Sequence, residues 1–147
     1  MSENFPLQKL LDLAQERTDD AARKLGELIG AEKEDDRKLA LLQEYRSEYQ
    51  GRFMDAARTG IGPDEWRNFT AFINRLDEAI EQQQKIVEAA RGRTAAGQQA
   101  WLSERNRMKA FDALSQRHQK ALQRKEARQD QQLTDEHAAK FGRDREE

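Results

Sequence analysis

The side chains able to do acid–base or metal chemistry are few in this 147-residue chain: two histidines, His118 and His137, and the adjacent carboxylates Asp19-Asp20 and Asp35-Asp36. The histidines stand 19 residues apart with no H-E-x-x-H spacing, so they read as exposed helix residues and not as metal ligands. Paired carboxylates work as acid and base where a cleft pushes their pKa values apart. No cleft is expected around either pair, and both read as solvated faces. The absence of cysteine removes thiol catalysis, disulfides and cysteine zinc sites, and fits a reducing cytosol. Gly60 and Gly62 precede a proline, and no stretch approaches the G-x-x-x-x-G-K-[ST] phosphate loop. The sequence therefore implies no enzyme, no metal, no cofactor and no small-molecule substrate.

The basic stretch from Arg105 to Arg128 carries eight Lys or Arg against Asp112 and Glu126. Nucleic-acid binding would want interleaved aromatics or a known module, and Phe111 alone is on offer; a net charge of −2 adds no support. From about Gln119 onward the run has no expected partner inside the chain and suits an acceptor on another protein. No apolar run approaches the roughly 20 residues of a membrane span.

The elements that must carry these residues follow from composition. Only 36% of the chain is apolar and 37% is charged, too little apolar material for a thick core. Ala, Glu, Gln, Arg, Lys and Leu dominate, and these lose least on entering a helix. Long helices packed along a thin stripe are expected. From Leu7, spacings of four and three pick out Leu11, Ala14, Thr18, Ala21, Leu25, Leu28, Glu32, Asp35, Leu39, Leu42, Arg46, Tyr49 and Phe53; ten of these 14 positions are apolar. This is a heptad seam of period 3.5, with a polar interruption at Glu32 and Asp35 that is wet or locally out of phase. Gly60, Gly62 and Pro63 then mark a turn, with Asp64 and Glu65 suited to the start of a second helix. Its seam reads Phe69, Ile73, Leu76, Ile80, Gln83, Val87 and Ala90, weakens through Thr94 and Gly97, and resumes at Trp101, Met108 and Phe111. Gly142 is the expected terminator.

The expected fold is all-α: a long antiparallel two-helix coiled-coil hairpin with a C-terminal helix overhang. It forms a single coiled-coil domain over 1–147, with helix one at about 4–57, the turn at about 58–63 and helix two at about 64–140. The overhang is roughly 20 residues, about 30 Å at 1.5 Å per residue. A turn near residues 60 and 61 pairs positions whose numbers sum to about 121. Residues 1–36, net −5, then face residues 85–120, net +5, which favours the antiparallel register over a parallel dimer. Gly26 and Gly30 fall across from Gly92 and Gly97, read either as close helix approach or tolerance, or as a weak collar. Trp66, Phe69, Phe72 and Ile73 span more than one face of their helix, so some apolar surface near the turn stays exposed as a docking patch.

Several motifs in order carry a resemblance. Leu7-x-x-Leu10-Leu11-Asp12-Leu13-Ala14, Asp19-Asp20-Ala21-Ala22, Tyr45-x-x-x-Tyr49 and Trp66-x-Asn68-Phe69-x-x-Phe72-x-x-x-Leu76-x-x-Ala79-Ile80-x-x-Gln83, with the closing Glu126-x-Arg128-x-Asp130-Gln131 and Asp135-Glu136, resemble the FliJ family of flagellar export proteins. The resemblance implies a soluble, cytoplasmic component of the flagellar type III export apparatus, peripherally associated with the flagellar base at the inner membrane. It implies a coiled-coil stalk that inserts into the hexameric export ATPase, promotes ring assembly, couples it to the cytoplasmic domain of the membrane export gate, and escorts export chaperones. Positions matching the gate-contact pattern are Leu42, Tyr45, Tyr49, Phe72, Leu76 and Ala79, with Lys38 and Gln83 at its edges. The ring-binding end would comprise Leu7, Leu10, Leu11, Arg124, Arg128, Asp130, Gln131, Asp135 and Glu136. An export chaperone or chaperone escort, and a generic coiled-coil scaffold or the stalk of a related virulence secretion system, are the alternative readings.

Overall fold

A computed structural model describes residues 7–146. It contains two α-helices and, among the described residues, no strand: α1, Gln8–Thr59, has 52 residues and α2, Pro63–Glu146, has 84. The part of helix one expected at 4–6 lies outside the described residues. α1 opens where the Leu7 carbonyl accepts the Leu11 N–H at 3.0 Å. It closes at Gly60, whose φ of 92° lies in a region that side-chain-bearing residues rarely adopt, and whose N–H donates to the Ala57 carbonyl at 3.3 Å. The Gly62 carbonyl accepts the Trp66 N–H at 3.0 Å, making Gly62 the cap and Pro63 the first helical residue, where its missing N–H costs nothing. Asp64 and Glu65 fill the first turn, at the positive end of the helix.

α2 does not stop at 140 as expected; it continues through Gly142 to Glu146. One glycine costs a helix only about 1 kcal/mol. Against that cost, the His137 ring lies tilted 6.1 Å from that of Phe141, the Arg145 guanidinium lies 5.9 Å from the same ring, and Arg143 and Arg145 occupy the negatively polarised last turn.

The seams follow the 3.5 period. Every expected α1 position from Leu11 to Phe53 is buried or half-buried, while Leu7 is exposed. On α2 the sheltered positions run unbroken from Phe69 to Leu122 and include Thr94, Gly97, Glu104, Ser115 and His118. His118 is therefore a seam residue, not the exposed one expected; His137 is exposed.

The packing divides into two units. In the first, Asp20–Trp101, α1 and α2 fold back on each other as an antiparallel hairpin about the turn. Its core includes Leu76, Val87 and Ala90, each at most 7% exposed. The acidic interruption produces no phase shift: Glu32, Asp35 and Asp36 all stay half-buried and are answered from α2. Gln83 Nε2 donates to the Asp35 carbonyl at 2.9 Å, and Arg91 reaches Asp36 at 3.5 Å and Glu32 at 3.9 Å. Thr94 Oγ1 donates to the Ala90 carbonyl at 3.1 Å and approaches that of Leu28 at 3.4 Å. In the second unit, the described residues before Asp20 join those from Leu102 on. Leu11, Ala14 and Thr18 are buried there, and the Thr18 hydroxyl is satisfied by the Ala14 carbonyl at 2.7 Å. After Leu122 every residue of α2 to 145 is exposed.

Candidate functional site

Tyr45, Tyr49 and Phe53 recur every four residues on α1, and Trp66, Phe69 and Phe72 every three on α2, so each set lies along one side of its helix. The turn interleaves them into one aromatic ladder. Phe53 lies 5.0 Å from Trp66 and 5.1 Å from Phe69, Tyr49 lies 5.2 Å from Phe69 and 4.4 Å from Phe72, and Tyr45 meets Phe72 edge-on at 6.0 Å. Such contacts add to the burial of the rings themselves. The ladder is not fully buried: at its two ends Tyr45 is 44% and Trp66 52% exposed.

Six residues were expected on this patch, and they fall into three kinds of environment. Tyr45 is exposed, Leu42, Tyr49, Phe72 and Ala79 are half-buried, and Leu76 is buried. Tyr45 and Phe72 meet directly, as do Tyr49 and Phe72. Lys38 is exposed, whereas Gln83 is a seam residue committed to the Asp35 carbonyl. Phe53, a seam position by its spacing, also belongs to the ladder. The four-residue spacing from Tyr45 through Tyr49 to Phe53 is the signal that includes Phe53.

An ion pair borders the ladder. The Arg46 guanidinium donates to both carboxylate oxygens of Asp77 on α2 and, at 2.8 Å, to Gln50 on its own helix. Its pKa is raised above the usual arginine value, first by the hydrogen bond to Asp77 and then by that carboxylate's charge. The result is a permanent cation pinned across the two helices beside the exposed tyrosine.

The residues expected at the other end separate by exposure. Leu7 and Leu10 are exposed, at 37% and 43%, while Leu11 is 5% exposed and belongs to the helix interface. Arg124, Arg128, Asp130, Gln131, Asp135 and Glu136 are all exposed on α2, where Gln131 donates to Asp135 at 3.0 Å. Asp19 and Asp20 are exposed, the latter paired with Arg23 at 3.0 Å. Among the described residues no three His, Asp or Glu converge to hold a metal ion, and no helix is long and apolar enough to cross a membrane.

Comparison with known proteins adds a family to this geometry. Residues 2–147 match the family model described as flagellar FliJ protein. The chain is similar to the flagellar FliJ protein of Salmonella typhi, 31% identical over 138 residues, which is 94% of each chain. It is similar also to the flagellar FliJ protein of Escherichia coli (strain K12), 30% identical over 138 residues with the same coverage.

Proposed function

The chain belongs to the flagellar FliJ protein family, components of flagellar protein export, and from that premise we propose that it is a non-catalytic stalk and coupling factor. One end enters and helps assemble the ring of the export ATPase, and the aromatic ladder docks on the cytoplasmic domain of the membrane export gate. The protein works in the cytoplasm, peripherally at the flagellar base, and also meets export chaperones.

The observation that carries this reading is the exposure of the aromatic residues at the two ends of the ladder. Tyr45 and Trp66 offer large apolar faces with polar tips, the kind of residue that dominates protein interfaces, on a scaffold whose seam is already closed by Leu76. For the ring-binding end, the support is α2 from 123 to 145, where every residue is exposed and about half are charged. A slender charged helix enters a pore without needing a pocket of its own.

Mixing the protein with its cognate ATPase and measuring ring assembly and hydrolysis tests the first half. Both should rise, and no change in either removes the stalk reading in favour of a chaperone or scaffold. Tyr45→Ala tests the second: gate binding should weaken about tenfold or more, the loss of one interface hot spot, with helicity unchanged. Because Leu76 lies in the core, Leu76→Ala is the control for a variant that lowers binding by loosening the fold.

A further inference from the structure

Away from the ladder, one groove combines apolar walls with charge that the chain leaves unanswered. Leu10, Leu13, Ala14 and Arg17 of α1 and Arg107 and Phe111 of α2 enclose about 220 Å³ within the second unit. Ala14 is a buried part of the wall, whereas Leu10 and Leu13 are 43% and 41% exposed and open to a partner. The two charged residues lining the groove are both arginines. Neither is ion-paired with a carboxylate among the described residues.

We propose that this groove receives an amphipathic helix of a partner protein, with apolar residues at i, i+4 and i+7 flanked by acidic ones. The trough between two packed helices takes a third by the same ridge-into-groove fit, and the lining residues repeat at helical spacing. Two guanidinium forks without partners match carboxylates better than any neutral surface. A second copy of this chain is a poorer occupant, because a two-fold pairing would bring the same arginines together. The inference rests on reading this end of the chain as a binding end, not on the ring being the partner.

The test uses the full chain and a labelled helical peptide with leucines at i, i+4 and i+7 and glutamates between them, against a twin with lysines. Fluorescence anisotropy should show the glutamate peptide binding about tenfold tighter. Arg17→Glu combined with Arg107→Glu should reverse that preference, and Leu13→Ser should weaken both peptides, each with unchanged helicity. Equal binding of the twins, a preference untouched by the double variant, or a concentration-dependent dimer that competes with the peptide overturns the groove. Failure of the native chain to assemble the ATPase ring while the peptide preference holds removes the ring reading and keeps the groove.

Discussion

Gly97 faces α1 at short range: a Cβ added there would lie 2.7 Å from Leu28 Cδ1 and 3.6 Å from Leu25 Cδ1. Gly26, Gly30 and Gly92, which numbering places nearby, have nothing within 4 Å of such an atom. The sequence alone could not separate these glycines, because pairing by residue number gives the level along a helix but not which side of it a residue occupies. Close approach holds for Gly97 only. Gly26→Ala and Gly92→Ala should each raise stability by about 0.5–1 kcal/mol in denaturant unfolding, the difference in helix propensity. Gly97→Ala should gain less, since Leu28 must leave its rotamer to make room. Gln83 supports a second expectation at this scale. Its side chain donates to the Asp35 carbonyl from a seam position that is 9% exposed. Gln83→Leu leaves no bare donor behind and adds apolar burial, so unfolding should show about 1 kcal/mol of added stability. The expected cost is register: a single polar seam residue is a known device for fixing it, and cross-linking between cysteines introduced at 28 and 94, which meet across the helices, should become less selective.

At the scale of the elements, the 3.5 period was legible because it survives polar substitution. Glu32, Asp35 and Arg46 hold their seam places on α1 as Thr94, Ser115 and His118 do on α2. The expected weakening through Thr94 and Gly97 shows as half-burial after the buried run that ends at Ala90, yet the seam is not interrupted, since a hydroxyl that bonds backbone carbonyls and a glycine that admits Leu28 both hold their places in it. His118, which matches no metal motif, falls in step with the heptad. The turn was legible too, through two glycines and a proline, though the cap fell on Gly62. Gly60 is the residue on which the end of α1 depends. With φ at 92°, Gly60→Ala should cost about 1–2 kcal/mol, opposite in sign to Gly26→Ala, and a shared thermal-unfolding series on the two variants checks both signs.

Across the whole molecule, the segregation of charge into blocks of −5 and +5 suggested a register held by opposite faces. Among the described residues Arg91 pairs with Glu32 and Asp36 across the helices, while Arg23 pairs with Asp20 on its own helix. Exposed long side chains gain little by reaching across when a partner stands one turn away, so the apolar seam carries the register. The exposed stretch after Leu122 has no such seam, which separates folding from binding in a way that truncation can read. Removing residues 124–147 deletes helix but no buried side chain among the described residues. Helical ellipticity should fall, while the thermal midpoint of what remains should stay within about 2 °C of the full chain, because stability follows buried apolar area and not helix length. Ring assembly by the ATPase should be lost in the same truncation, and gate binding through Tyr45 should persist. A large drop in the midpoint would mean that the exposed segment supports the fold, and retained ring assembly would move the ring contact to Leu7 and Leu10 alone.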